Sequence, residues 1–142
     1  KPIYLATIFG LVLSGFAQMP IFKRYYIADI PGLGWLAQFY VTHFIHYLGA
    51  ILFLGITAYL LVDYIVVQRN AIRLTTSGYL RAGLLAGLLI TGIFLVIRNL
   101  SGVILPGGLI IFMDLAHLGL VMAFLFTAAF CLIFKKRWTT AR

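Results

Sequence analysis

The chain has 142 residues, of which 63% are hydrophobic and 10% charged, and its formal net charge is +8. A soluble domain of this size is only about half apolar, so the composition excludes an ordinary soluble domain and indicates a polytopic membrane protein. The basic residues are scattered at the ends of hydrophobic segments, which argues against nucleic acid as a partner. A single cysteine, Cys131, excludes an internal disulfide and a cysteine-ligated iron–sulfur cluster, and no CxxCH motif is present for covalent haem.

Four hydrophobic segments follow one another, each close to or above the ~20 residues with which a helix crosses a bilayer. We expect helices over residues 3–22, 36–67, 78–97 and 109–134. They must be helices because lipid offers no hydrogen-bond partner to an open strand edge. Short loops make sequence neighbours antiparallel, so the second and fourth segments run in the same direction. The prediction is an all-α integral membrane four-helix bundle, one domain over residues 1–142.

The basic residues also predict an orientation. Eight lie at one face: Lys1, Arg69, Arg73, Arg81, Lys135, Lys136, Arg137 and Arg142. Three lie at the other face: Lys23, Arg24 and Arg98. Since basic residues are enriched on the cytoplasmic side, both termini and the middle loop are expected in the cytoplasm, with the bacterial inner membrane as the location.

All three histidines fall inside hydrophobic segments, where an ionisable side chain is costly and is a candidate for function. His46 lies ten residues after Leu36, where the second segment begins, and His117 lies eight residues after Leu109, where the fourth begins. At ~1.5 Å of rise per residue, both imidazoles are expected roughly 12–15 Å inside the outer face. Neutral imidazole is a common haem ligand, so matched depth on parallel helices predicts one b-type haem between them.

Small residues beside a ligand would let a porphyrin lie flat against its helix. Gly49 and Ala50 follow His46 at three and four residues, on the same face. Gly119 closely follows His117 on the fourth segment. These glycines and the alanine are therefore expected to pack against the haem.

His43 is the weaker ligand candidate, because the bulky Tyr47 lies four residues after it. His43 and Asp114 each precede a proposed ligand by three residues, one helical turn nearer the outer face. They are expected either to exchange protons with a quinone or to bind a haem propionate and neutralise a local charge. Arg98 at the same face is expected to pair with a propionate or to be solvated as a loop residue.

Short motifs on the other two segments suggest a family. The first segment carries Leu13-Ser14-Gly15 and the third carries Leu89-Ile90-Thr91-Gly92, while His46 and His117 lie on the second and fourth. This pattern resembles the di-haem cytochrome b subunits of respiratory formate dehydrogenases and thiosulfate reductases, and more loosely of Ni–Fe hydrogenases. The resemblance implies a four-helix anchor that passes electrons between a periplasmic partner and the quinone pool, with His46 and His117 as ligands of the outer haem.

The chain departs from that family at its second haem. The positions at which the family carries the other two ligands fall near Lys1 and Cys131, and neither is histidine. The resemblance therefore implies one haem retained and one lost, unless a residue upstream of Lys1 or another chain contributes a ligand.

The combined prediction is a mono-haem b-type cytochrome subunit of a larger oxidoreductase, rather than an enzyme by itself. Its quinone would be menaquinone or ubiquinone, and its partner a periplasmic iron–sulfur or multihaem c-type cytochrome subunit in a hetero-oligomeric complex embedded in membrane lipid. Two alternatives stay open: a haem-free quinone-binding anchor, and a small membrane subunit with no redox role, in which the histidines only hydrogen-bond between helices.

Overall fold

The computed structural model describes residues 2–19 and 27–141, and these are mostly helical. It contains four α-helices: α1 (Pro2–Ala17), α2 (Phe39–Asp63), α3 (Thr76–Ile97) and α4 (Gly107–Ile133). A π-helical turn over Tyr64–Gln68 extends α2. A two-stranded antiparallel ribbon, β1 (Ile72–Leu74) with β2 (Thr139–Ala141), was not predicted by the hydropathy pattern. The expectation of four helices is confirmed, and the ribbon is an addition to it.

Three helical stretches are long and apolar enough to cross a membrane. They are Phe39–Gln68 with 30 residues, Thr76–Ile97 with 22 and Gly107–Ile133 with 27. These stretches are consistent with a multi-pass membrane protein.

The first helix is shorter than expected, since α1 ends at Ala17 rather than Phe22. Tight turns at Gln18 and Met19 close it, and Pro20 disfavours helical geometry in the residue before it. Four of the basic residues used to predict the orientation, Lys1, Lys23, Arg24 and Arg142, lie outside the described residues.

Two helix starts also differ from those predicted. α2 begins at Phe39 rather than Leu36 because a 3₁₀ turn over Gly34–Ala37 precedes it and Gln38 is extended. α4 begins at Gly107, directly after Pro106, whose ring suits the boundary of a helix. His46 is therefore seven residues inside its helix and His117 ten, so the two differ by about one turn in distance from the helix start.

The chain divides into two compact units, with the boundary between Val66 and Val67. In the first hairpin, residues 2–66, α1 and α2 pack antiparallel. Tyr4 stacks on Phe53 with ring centroids 6.0 Å apart, and Ser14 contacts His46 nearer the connection between the helices.

In the second hairpin, residues 67–141, α3 and α4 pack antiparallel, and the ribbon joins the chain before α3 to the chain after α4. Lys135 takes a left-handed conformation with φ 51° just beyond α4, and the Lys136 N–H donates to the Cys131 carbonyl at 2.8 Å. These features end the helix and turn the chain towards β2.

The helix interfaces contain buried hydroxyl groups rather than large apolar side chains alone. Buried hydroxyls each donate to a carbonyl four residues earlier: Thr7 to Ile3, Ser14 to Gly10, Thr42 to Gln38 and Thr91 to Gly87. Small hydroxyl residues at such interfaces let helices approach closely, as in membrane helix pairs. Cys131, expected to be a buried apolar residue, is buried on α4.

Candidate functional site

His46 on α2 contacts a serine–glycine pair on α1. Its Nδ1 lies 3.1 Å from the Ser14 hydroxyl oxygen, which is buried between the helices. A Cβ on Gly15 would lie 3.2 Å from His46 Cε1, which is tighter than most real contacts. The absence of a side chain at Gly15 therefore lets the imidazole lie directly against α1.

His117 on α4 contacts a threonine–glycine pair on α3 in the same way. Its Nδ1 lies 2.8 Å from the buried Thr91 hydroxyl oxygen. A Cβ on Gly92 would lie 3.6 Å from His117 Cε1, an ordinary van der Waals distance. Each hairpin thus has a hydroxyl residue followed by glycine on its first helix, facing a histidine on its second.

Each hydroxyl also lies close to a carbonyl of its own helix. Ser14 Oγ lies 2.6 Å from the Gly10 carbonyl oxygen, and Thr91 Oγ1 lies 2.8 Å from the Gly87 carbonyl oxygen. When a hydroxyl donates its single proton to that carbonyl, its oxygen accepts from the histidine Nδ1–H. In that tautomer a neutral imidazole has its lone pair on Nε2, the form that binds a metal.

One turn further from the hairpin connection, each interface has a glycine facing a leucine. In the first hairpin Gly49 of α2 faces Leu11 of α1, and a Cβ there would lie 3.1 Å from Leu11 Cδ2. In the second hairpin Gly87 of α3 faces Leu120 of α4, and a Cβ on Gly87 would lie 3.2 Å from Leu120 Cδ1. The glycine lies on the second helix in one hairpin and on the first helix in the other.

Of the small residues predicted to pack against haem, Gly49 instead fits Leu11 within its own hairpin. Ala50 is half-buried on α2. Gly119 is exposed, and nothing lies within 4 Å of the position of its Cβ. Because it follows His117 by two residues, it faces about 200° away from the imidazole around the helix.

His43 also has a fixed tautomer. The Gln18 amide donates from Nε2 to the Ser14 carbonyl at 3.2 Å, which turns its Oε1 towards His43 Nδ1 at 2.9 Å. Nδ1 must donate to this oxygen. The imidazole also contacts the rings of Phe39 and Tyr47, with centroids 5.2 and 4.3 Å away.

In the second hairpin the residue in the equivalent place, Asp114, forms an ion pair. The Arg98 guanidinium donates to its carboxylate at 2.7 Å, and the two side chains are 25% and 47% exposed. Arg98 thus has Asp114 as a partner, and its contact with a haem propionate stays a prediction. The pair matches the interpretation in which Asp114 neutralises a local charge.

Within residues 2–19 and 27–141, no three His, Cys, Asp or Glu side chains lie close enough to hold a metal ion. The chain matches no protein-family model, no curated protein and no solved structure.

The motifs Ser14-Gly15 and Thr91-Gly92 indicate no role as imidazole contacts from the sequence alone, and the same holds for Gln18. The available signal was repetition, because a hydroxyl–glycine pair occurs near the C-terminal end of each helix that precedes a histidine-bearing helix. The role of Gln18 had no such signal, since a single glutamine near a helix end is common.

Proposed function

We propose that this chain is the membrane-anchoring b-type cytochrome subunit of a respiratory oxidoreductase, and that His46 and His117 are the axial ligands of one haem b. The observation that carries the proposal is the shared arrangement of the two histidines. Each has its Nδ1 within hydrogen-bond distance of a buried hydroxyl oxygen, at 3.1 Å for His46 and 2.8 Å for His117. Metal-ligating histidines characteristically have such an outer hydrogen bond, which fixes the ring and its tautomer.

The donor chemistry supports the proposal. Two neutral imidazoles are the donor set of a low-spin b-type haem, and glycines beside the rings, Gly15 and Gly92, leave room for each imidazole to lie on the neighbouring helix. The haem, when bound, would supply a one-electron carrier inside the membrane. The protein's own contribution would be to orient both imidazoles.

We also propose how the helices cross the membrane. Four membrane crossings with both termini in the cytoplasm of a bacterial cell would place His46 and His117 towards the periplasm. The outer connections, Lys23–Trp35 and Asn99–Gly108, would then face a periplasmic iron–sulfur or multihaem c-type partner. Electrons would pass between that partner and membrane menaquinone or ubiquinone.

A haem-free quinone-binding anchor is the second candidate. It is favoured by the polar pairs near each hairpin connection, Gln18 with His43 and Arg98 with Asp114, which place ionisable side chains on otherwise apolar helices at His43 and Asp114. In that case the Nε2 atoms would accept hydrogen bonds from a quinol hydroxyl rather than bind iron.

The test is a haem assay on the purified complex together with single histidine variants. We expect one haem b per chain, a low-spin bis-imidazole spectrum, and loss of that spectrum in His46→Ala and in His117→Ala. His43→Ala is the matched control, because it removes an imidazole three residues from His46 and should keep the spectrum.

Several results would contradict the proposal. Two haems per chain would overturn the mono-haem count. Loss of the spectrum in His43→Ala, with retention in His46→Ala, would reverse the ligand choice. Absence of haem together with co-purified quinone would favour the second candidate, and absence of both would leave the histidines as interhelical hydrogen-bond partners.

A further inference from the structure

A shallow depression of about 570 Å³ lies at the end of the second hairpin where α3 begins and α4 ends. The lining residues at the end of the hairpin are polar, Thr75, Thr76, Ser77 and Lys136, and those about one turn further along the helices are apolar, Leu80 and Phe130. A change from polar to apolar lining residues along the helices matches the boundary between a lipid headgroup and its acyl chains.

The polar wall is held in place by a hydrogen-bonded clamp. Arg81 is buried, donates from Nε to the Ser77 carbonyl at 3.0 Å and from Nη2 to the Lys136 carbonyl at 3.4 Å, and lies 4.2 Å from the centre of the Trp138 ring. Ser77 Oγ donates to the Arg137 carbonyl at 3.0 Å. The backbone from which the Lys136 side chain emerges is therefore fixed from two sides.

The positive charge at this end of the second hairpin is not balanced by acidic residues of the same hairpin. Residues 67–142 contain a single acidic residue, Asp114, which pairs with Arg98 at the opposite end. Four exposed basic side chains lie at the ribbon end: Arg73, Lys135, Lys136 and Arg137. This concentration of positive charge attracts external anions.

We infer that the depression binds an anionic phospholipid, with its phosphate against Lys136 and Thr76 and an acyl chain along Leu80 and Phe130. The apolar wall favours a lipid over free phosphate, which would leave Leu80 and Phe130 without a contact. Basic pockets beside membrane helices bind anionic headgroups in this way. The inference rests on the membrane insertion proposed above and is independent of haem.

The test measures thermal unfolding of the whole purified protein in detergent, with phosphatidylglycerol or phosphatidylcholine of the same acyl chains added, and with inorganic phosphate as a separate arm. Phosphatidylglycerol should raise the melting temperature by at least about 3 °C more than phosphatidylcholine, since a ligand that binds the folded state stabilises it. Inorganic phosphate should have little effect.

Two neighbouring lysines provide the matched comparison. Lys136→Gln, in the wall of the depression, should remove most of the difference between the lipids, whereas Lys135→Gln, which removes the same charge just outside it, should preserve the difference. Equal stabilisation by both lipids, or an equal loss in both variants, would overturn a defined site, and stabilisation by inorganic phosphate would overturn a lipid ligand. Recovery of the chain in the soluble fraction would instead contradict membrane insertion itself.

Discussion

The two hairpins have the same contact between a hydroxyl–glycine pair and a histidine, but they support it differently. The first hairpin places Ser14 3.1 Å from His46 and has a neutral polar pair, Gln18 with His43, one turn away. The second places Thr91 2.8 Å from His117 and has an ion pair, Arg98 with Asp114. What the hairpins share is the chemistry of the imidazole, and this suggests that the imidazole is the feature with a function.

The hairpins also differ at the end remote from their connection. The second hairpin is closed by the β1–β2 ribbon and by the Arg81 clamp, while the described ends of the first hairpin meet through apolar contacts such as Tyr4 with Phe53. These polar contacts of the second hairpin depend on one buried cation, Arg81. We therefore expect a single substitution to destabilise the second hairpin more than the first.

The largest effect is expected from Arg81→Ala. The substitution removes three charge-assisted hydrogen bonds and the contact with Trp138, and should lower the free energy of unfolding by about 2–4 kcal/mol. Reversible unfolding in mixed detergent micelles would measure the loss.

Arg98→Ala is the control for this prediction. Its ion pair with Asp114 is partly exposed, so its loss should cost about 1 kcal/mol or less. Equal costs for the two arginines would show that the clamp at the ribbon adds nothing to the stability of the second hairpin.

A second comparison removes the hydroxyl group beside each histidine. Thr91→Val and Ser14→Ala each leave Nδ1–H without its acceptor, and loss of such an outer hydrogen bond typically weakens metal binding by about 10- to 100-fold. The effect should be larger for Thr91→Val because its hydrogen bond is shorter, 2.8 Å against 3.1 Å. Haem retention during dilution into competing apomyoglobin would measure it.

The conservative exchanges Thr91→Ser and Ser14→Thr preserve a hydroxyl and should retain haem. If the valine and alanine variants retain haem as tightly as the original chain does, the hydroxyl groups serve only to pack the helices.

The smallest effect is expected at the glycines beside the rings. Gly92→Ala fits at an ordinary contact distance and should stabilise α3 by about 0.5–1 kcal/mol through the higher helix propensity of alanine. Gly15→Ala requires the His46 ring to move by a few tenths of an ångström, which should cancel that gain. The same unfolding assay compares them, and a gain of equal size in both would show that the two glycine contacts are equivalent.

Much of the fold could be predicted from local features of the sequence. Four apolar segments gave four helices, and Pro20 and Pro106 account for two of the boundaries that shifted. The ribbon was not predictable, because β1 and β2 are only three residues each and lie 64 residues apart, too short for a hydrophobic pattern and too distant for a turn signal.

The sequence by itself determined that this is a membrane-type helical chain and that its histidines lie within apolar helices, since both depend only on composition and segment length. Only the tertiary structure decided the partners: Ser14 for His46, Thr91 for His117, Gln18 for His43, and Asp114 for Arg98. Such pairings depend on how each helix is rotated and on its register against its neighbour. These quantities arise from packing along the whole interface, so no local pattern contains them.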